Sequence, residues 1–260
     1  MKKSGRFWIA AVALCVMMGG VGCGWVGQPS REDIPPESRG GAPATGTVSS
    51  VEPLTAPRPD VGIPVPHITQ EGYPTGCESA CAVMLLRYYG VDMDMDTFID
   101  DHLDCGGCWY EDGQLVAPHP AECFVGDPRT EWGFGCFAPV ICRALNRCLP
   151  EGRTATDKTG TDLSALCRDY VGKGDPVAIW ATIDMKPVQD GAIFLVAGSG
   201  ETFVWPAGEH CLLLVGYDEE RYYFNDPLKE TAPVAYDRET VERRWAELGR
   251  QAVAIERKTT

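Results

Sequence analysis

The stretch Gly72–Gly90, GYPTGCESACAVMLLRYYG, decides the fold. Its first residues form a turn, and Cys77 then opens a run whose apolar side chains cover nearly all faces of a helix. A helix that is apolar on nearly every side is buried at the centre of a domain. The sequence therefore predicts a central helix over residues 77–89, with Gly90 as its C-cap and a cysteine at its first position.

A thiol at the start of a helix has a chemical consequence. Unpaired N–H groups and the macrodipole stabilise a thiolate there, and such sites lower a cysteine pKa to roughly 3.5–7.5. Cys77 is therefore the candidate nucleophile. A buried structural cysteine, or one half of a disulfide, is the alternative at this position. Cys81 lies one turn further in, and we interpret it as a small core residue.

A candidate base and its orienting group follow on two neighbouring strands. An activated thiolate needs both. Among the four histidines, His210 opens the apolar strand HCLLLVGYD, beside a loop where a site-facing histidine is expected. The next strand, RYYFNDP, ends in Asn225 and Asp226, and a short turn near Glu219–Glu220 would bring the two ends to one sheet edge. A plain turn is the alternative interpretation of NDP.

Four segments together resemble the bacteriocin-processing (double-glycine leader) peptidase-like family of papain-like cysteine peptidases. They are HITQEGYPTGCESACAVMLLRYYG, GDPVAIWATIDM, GEHCLLLVGYD and YYFNDP, within about residues 63–226. The resemblance implies that Cys77 is the nucleophile, His210 the general base and then acid, and Asp226 the orienter. It also implies that Gln70 donates to the oxyanion beside the backbone N–H of Cys77, and two such donors suit a developing negative charge. Asn225 is the rival orienter.

The order of elements indicates the fold class. Further helices are predicted near residues 96–102, 138–146, 162–171 and 239–248, and an irregular stretch rich in Gly, Pro and Cys over 103–135. Strands are predicted mainly after residue 176. Helices first and strands later indicate an α+β domain with an antiparallel sheet packed on the helical half. The resemblance implies the same class, a papain-like fold in which the helical half carries the nucleophile helix.

The N-terminal part of the chain differs from the rest. Three basic residues precede an apolar segment that is too short for a stable membrane span and ends in small residues before Cys23. The pattern resembles a bacterial lipobox, so we predict a lipoprotein-type signal peptide over 1–22 and a lipid anchor on Cys23. An ordinary signal peptide is the alternative. Residues 23–62, rich in Pro, Gly, Ser and Thr, are predicted to be a disordered tether, and 63–260 the peptidase domain.

The net charge of the sequence limits the classes of partner that it can bind. The sequence carries 37 acidic and 23 basic residues, a formal net charge of −14. An excess of acid argues against nucleic acid and anionic membrane surfaces as electrostatic partners. We predict a monomer that is exported to the cell surface, held at the bacterial membrane through Cys23, and acts on peptide or cell-wall peptide substrates. The sequence indicates no cofactor and no metal in the active site.

Seven cysteines in the middle of the domain need a separate interpretation. In an exported protein the first is a set of disulfides that pin a loop-rich segment. The seven are Cys105, Cys108, Cys123, Cys136, Cys142, Cys148 and Cys167. The alternative is a zinc site with the ligands His102, Cys105, Cys108 and either Cys123 or Cys136. Cys211, next to His210, is expected to face the opposite side of its strand.

These observations predict a cysteine peptidase that hydrolyses a peptide or amide bond through a Cys77–His210–Asp226 triad and an acyl-enzyme intermediate. Two alternatives stay open. One is a cell-wall amidase or transpeptidase with the same triad. The other is a non-catalytic surface binding domain that keeps the fold. The presence of Gln70 together with the triad argues against the second, since decay of activity usually removes one of these residues.

Overall fold

The computed structural model describes residues 62–258. The predicted signal peptide and the lipid anchor on Cys23 lie outside the described residues, as does the predicted tether except for its last residue, Gly62. In the part of the chain that is described, no helix combines the length and the apolar character that crossing a membrane requires.

The helices fall close to their predicted positions. Between residues 62 and 258 the α-helices are α1 Cys77–Tyr88, α2 Met95–Thr97, α3 Ala138–Cys148, α4 Leu163–Asp169 and α5 Arg238–Glu247. The four longer ones begin and end within two residues of the predicted bounds. A π-helical stretch, Phe98–His102, continues α2, and short 3-10 turns cover Val171–Lys173 and Ile183–Met185. Gly90 has φ +86°, the left-handed conformation that suits the residue ending α1.

Twelve strands are found over the same residues. They are β1 Cys105–Gly106, β2 Trp109–Glu111, β3 Gln114–Ala117, β4 Phe124–Val125, β5 Arg153–Asp157, β6 Val177–Thr182, β7 Gln189–Val196, β8 Thr202–Ala207, β9 Glu209–Tyr217, β10 Arg221–Asn225, β11 Val234–Asp237 and β12 Ala252–Arg257. The largest sheet has the order β11-β10-β9-β6-β12-β5, and each neighbouring pair in it is antiparallel. The predicted α+β class with an antiparallel sheet is confirmed.

The helix α1 is buried from its first residue to Leu86, which explains why its sequence is apolar on nearly all faces. It packs on one face of the large sheet, where Leu213 and Val215 of β9 share its core. The helix α5 covers the other face, with Leu212 and Leu214 of β9. Because β9 has helices on both sides, it is buried along its whole length and its sequence is a continuous apolar run.

The stretch over residues 103–135 contains short strands where the sequence predicted irregular structure. β1 and β4 pair in parallel, while β2, β3, β7 and β8 form a second sheet in which only the β3–β7 pair is parallel. β7 and β8, which lie in the predicted strand-rich part after residue 176, therefore belong to this second sheet and not to the main one. Strands of two to four residues separated by Gly and Pro are too short for alternation to reveal.

The ten cysteines in the described residues are all free thiols. The predicted disulfides are therefore wrong for this structure. Cys136 and Cys142 lie in the core around α1, whereas Cys167 lies in the core against α5, and each packs there as a small apolar side chain. The alternative zinc set around His102 and Cys105 does not form either, since its ligand atoms are not gathered within 4.8 Å of one another.

Candidate active site

The turn before α1 sets the position of Cys77. The N–H of Tyr73 donates to the carbonyl of Gln70 at 2.8 Å, and the N–H of Gly76 donates to the carbonyl of Tyr73 at 2.9 Å. A side chain at position 76 would meet the Cβ of Tyr73 at 2.7 Å, so the chain can turn this tightly only with glycine there. Cys77 follows as the first residue of α1.

The thiol of Cys77 is buried and bound to a neighbouring carboxyl group. Its Sγ lies 3.1 Å from Oε2 of Glu78 and donates to it. Burial raises the pKa of Cys77 well above its ordinary value, and the charges of Glu78 and Glu209 raise it further, against a hydrogen bond from the N–H of Cys211 that lowers it. This direction is the reverse of the lowering expected from the helix terminus alone. Two acidic neighbours and the loss of water outweigh the helix dipole.

His210 and Asp226 form a buried pair. Nε2 of His210 lies 2.7 Å from Oδ1 of Asp226, and both side chains are almost inaccessible to solvent. Asp226 also accepts from the N–H of Leu228 at 2.9 Å and from the hydroxyl of Tyr236 at 3.0 Å. Burial alone would raise the pKa of Asp226, but the hydrogen bond and charge of His210 and the other two donors lower it below its ordinary value. The carboxylate is ionised, so Nε2 carries the hydrogen and Nδ1 is the nitrogen that can accept a proton.

Asn225 occupies a different environment from Asp226. Its side-chain amide donates to the carbonyl of Val65 at 3.1 Å and lies 3.8 Å from the sulfur of Met84 in α1. Successive residues at the end of β10 thus face opposite sides of the sheet. The geometry favours Asp226 over Asn225 as the partner of His210.

Gln70 lies in the turn before α1, and its backbone N–H donates to the carbonyl of Pro227 at 2.9 Å. This bond ties the turn to the loop that follows Asp226. The side-chain Nε2 donates to the carbonyls of Tyr73 at 3.1 Å and Pro74 at 3.2 Å, and Oε1 is buried without a partner. An oxyanion donor role would require one of these two N–H groups to turn toward substrate.

Of the four predicted residues, His210 and Asp226 form a pair, Cys77 is bound to Glu78, which was not predicted, and Gln70 lies in the turn before α1. Among the hydrogen bonds within residues 62–258, Cys77 Sγ is joined to Glu78, and His210 Nε2 is joined to Asp226. Neighbouring residues of β9 alternate, and Cys211 shares the core around α1. His210, one residue earlier, points to the opposite face. No hydrogen bond joins the thiol and the imidazole within residues 62–258, so a proton transfer between them requires the site to rearrange.

Two buried acids at this site were missed from the sequence. Oε1 of Glu78 accepts from the N–H of Cys136 at 2.7 Å, and the carbonyl of Cys136 accepts from Nε1 of Trp180 at 2.9 Å. Glu209 is buried beside it, and its Oε1 has no hydrogen-bond partner. The available signal was a lone acid inside an otherwise apolar helix, and an acid directly before His210 at the start of an apolar strand.

Three of these buried groups lie close enough together to share a ligand. Within residues 62–258, Cys77, Glu78 and Glu209 are the group whose ligand atoms lie within 4.8 Å of one another. The contact of 3.1 Å between Sγ and Oε2 of Glu78 is a hydrogen-bond distance. Burial raises the pKa of all three groups, which favours their protonated forms.

The fold and the site together define a class of protein. A buried helix that starts at a cysteine, packed on an antiparallel sheet whose strands carry a His–Asp pair, is the arrangement of papain-like cysteine peptidases. The sequence profile of the Peptidase_C39 like family matches residues 63–253. The chain belongs to this family, and the resemblance seen in the sequence is confirmed.

Three known proteins are similar to this chain to different degrees. The uncharacterized protein YvpB of Bacillus subtilis (strain 168) is 28% identical over 182 residues, which cover 70% of this chain and 69% of YvpB. A crystal structure of a candidate C39-like peptidase from Bacillus anthracis has a TM-score of 0.66 and 28% identity, over 76% of this chain and 96% of that one. A double-glycine-motif protease from an AMS/PCAT transporter, solved with its leader peptide, reaches a TM-score of 0.43 and 17% identity over 76% and 94% of the two chains. The last likeness is too distant to bear on function.

Proposed function

We propose that this protein is a cysteine peptidase that hydrolyses a peptide or amide bond through an acyl-enzyme on Cys77. The observation that carries the proposal is the buried hydrogen bond of 2.7 Å between His210 and an ionised Asp226, on the strands next to the helix that begins at Cys77. A buried carboxylate with three donors has one evident use beside a histidine, which is to fix its tautomer and stabilise its cation. Membership of a peptidase family supports the same reaction.

The chemistry follows from these roles. Nδ1 of His210 takes the thiol proton, and the sulfur of Cys77 attacks the substrate carbonyl. The backbone N–H of Cys77 and the side chain of Gln70 stabilise the oxyanion. For this, one N–H of the Gln70 amide leaves a carbonyl of the turn and donates to the substrate oxygen. His210 then protonates the leaving amine, and a water molecule, deprotonated by His210, releases the acyl group. Asp226 holds the ring throughout.

Export and anchoring are part of the proposal. The charged N-terminus, the short apolar segment and Cys23 support a lipid-anchored protein at the surface of a bacterial cell, with a peptide or cell-wall peptide as substrate. Cys23→Ala is expected to move the domain from the membrane fraction to the soluble fraction without changing its activity. Wild-type protein found free in the medium would contradict the anchor.

The reaction is tested by screening peptides and cell-wall peptide fragments with wild-type protein and with Cys77→Ala. Cleavage by the wild type alone, with the acyl group recovered on Cys77, supports the proposal. Products joined to an added amine would instead identify a transpeptidase, and release of cell-wall stem peptides from glycan an amidase. Binding of a fragment with equal affinity by both proteins, and no turnover by either, would point to a binding domain.

A further inference from the structure

Two buried carboxyl groups beside the nucleophile have no role in the mechanism above. Glu78 is fully buried in the first turn of α1, and Glu209 is buried at the start of β9. In the described part of the chain, neither forms an ion pair with Lys or Arg. Burying an acid without a cationic partner lowers the free energy of unfolding. A chemical role at the neighbouring thiol would explain why these two acids lie here.

The carboxyl group of Glu78 is held in one orientation. Oε1 accepts from the N–H of Cys136 at 2.7 Å, so Oε2 is directed at the sulfur of Cys77, 3.1 Å away. Gly135 makes room for this arrangement, because a Cβ there would lie 2.6 Å from Oε1 of Glu78 and 3.1 Å from Oε2 of Glu209. The indole of Trp180 binds the carbonyl of Cys136 at 2.9 Å and so fixes the loop that holds the acid.

The surroundings raise the pKa of both acids. Burial raises the pKa of Glu78 to about 7, against hydrogen bonds that lower it, chiefly from the N–H of Cys136. Burial and the charge of Glu78 raise the pKa of Glu209 well above its ordinary value. Besides Glu209, the titratable groups facing Glu78 are the thiols of Cys77 and Cys81 on α1, Cys136 before α3, and Cys211 on β9.

We propose that Glu78 is a further catalytic residue, which in its carboxylic acid form donates a hydrogen bond to the thiolate of Cys77. The proposal rests on the proposed function, since it concerns the same nucleophile. A neutral O–H donor 3.1 Å from sulfur stabilises the thiolate by a charge-assisted hydrogen bond. An ionised Glu78 at that distance does the opposite, because it accepts the thiol hydrogen and repels a thiolate.

The proton count of the step closes without any other group. The thiol proton moves from Sγ to Nδ1 of His210, the electron pair stays on sulfur, and Glu78 keeps its own proton. When that pair forms the bond to the carbonyl carbon, the hydrogen bond from Glu78 is released. When the acyl group departs with water, the returning thiolate accepts the hydrogen bond again.

The consequence is an inverted pH dependence of Cys77 reactivity. An ordinary thiol alkylates faster as pH rises, because more thiolate forms. In the reactive state the thiol proton is on His210 and Glu78 keeps its own proton, so this state forms without releasing a proton to solvent. Once Glu78 loses its proton near neutral pH, the proton left in the Cys77–Glu78 pair resides on sulfur, whose pKa is the higher of the two. The alkylation rate of Cys77 is therefore expected to fall through that range. Glu78→Gln keeps one oxygen for the N–H of Cys136 and puts an NH₂ donor toward the sulfur at every pH. The fall is therefore expected to disappear in this variant.

The test is the rate of alkylation by iodoacetamide, an uncharged reagent, between about pH 5.5 and about pH 8.5, read at Cys77 by peptide mass spectrometry. In wild-type protein the rate should fall across pH 7. In Glu78→Gln the rate should stay level or rise, so that the variant reacts about tenfold faster than wild type at the highest pH.

Glu209→Gln is the matched comparison. It removes the other carboxyl group, and its alkylation rate should still fall as pH rises. A wild-type rate that rises steadily through pH 7, or a fall that persists in Glu78→Gln, would overturn the proposal. So would a fall lost only in Glu209→Gln.

Two features keep the test decisive. If Glu78→Gln does not fold, as judged by circular dichroism, the wild-type profile alone still decides, since a steady rise excludes the donor role. Alkylation needs no peptide substrate, so it does not depend on finding one. Absence of any peptide cleavage, together with an inverted profile, would remove the proposed function and leave the Glu78–Cys77 interaction in place.

Discussion

On the two faces of the sheet around strand β9, buried carboxyl groups have pKa values that are shifted in opposite directions. On the face toward α1, Glu78 and Glu209 have raised pKa values, and one oxygen of Glu209 lacks a partner. On the other face, Asp226 accepts three hydrogen bonds, one of them from His210, and its pKa is lowered. Burial is common to both faces, and Glu78 accepts hydrogen bonds as Asp226 does, so the difference lies mainly in the histidine. The hydrogen bond and charge of His210 lower the pKa of Asp226, whereas no cation among the described residues lowers those of Glu78 and Glu209.

The largest expected effect comes from removing the sulfur of Cys77, which lies on the face toward α1. Cys77→Ala should reduce turnover by about 10⁶, because no other group can form the acyl intermediate. Steady-state rates on a peptide found by screening measure it. Cys81→Ala, one turn along α1, is the matched control and should retain catalysis. Equal rates for Cys77→Ala and wild type would remove Cys77 as the nucleophile.

Removal of the imidazole of His210 tests the face that carries the His210–Asp226 pair. His210→Ala should be nearly as severe as Cys77→Ala, because the thiol loses its proton acceptor and the leaving amine its donor. Asp226→Asn should cost less, about 10³–10⁴ in turnover, because an amide can still orient the ring but stabilises its cation poorly. Asn225→Ala is the control on the neighbouring residue, which faces α1. If Asn225→Ala removes turnover and Asp226→Ala does not, the assignment of the third triad member is wrong by one residue.

Much of this face was predictable from the sequence, and the reason is local geometry. Two antiparallel strands joined by a short turn bring the start of one beside the end of the other, so His210 and Asp226 had to meet. Helix α1 was predictable too, because an apolar run bounded by Gly76 and Gly90 indicates both the type of the element and where it begins and ends. The short strands near Cys105 were not, since two-residue pairings depend on tertiary contacts that leave no periodicity.

The face toward α1 could be foreseen only in part. Alternation along β9 predicted that Cys211 faces away from His210, and the structure agrees. The same alternation turns Glu209 toward Cys77, and Glu209 was not among the predicted site residues. The N–H of Cys136, which fixes the orientation of the Glu78 carboxyl group, belongs to a residue 58 positions away in the sequence. No motif in the sequence predicts that contact.

A smaller effect is expected at the turn before the helix. Gln70→Ala should slow turnover by about 10²–10³, the usual result of losing one oxyanion donor. Its alkylation rate at Cys77 should stay that of wild type, because the amide acts on the substrate oxygen and not on sulfur. Comparing the two rates in one preparation separates the roles. A parallel loss of both would show that Gln70 only supports the turn through Tyr73 and Pro74.

The smallest effect concerns stability. The folded state binds a proton at Glu209 more tightly than the unfolded chain does, so this group contributes stability below its unfolded pKa and loses it as pH rises through the folded value. Glu209→Gln, which carries no charge, should therefore raise the melting temperature at about pH 8 more than at about pH 5, by about 2–4 °C for each kcal/mol recovered. Thermal melts at the two pH values measure the difference. An equal shift at both would mean that Glu209 is not protonated in the fold.

The central claim is that the sulfur of Cys77, deprotonated by His210, carries the acyl group. It is tested most directly by mixing the protein with an activated peptidyl ester, quenching with acid, and locating the adduct by peptide mass spectrometry. The account predicts the acyl group on Cys77 in the wild type, none in Cys77→Ala, and much slower formation in His210→Ala with binding of the ester unchanged. An adduct on another residue, or acylation of Cys77 at the same rate without His210, would contradict it.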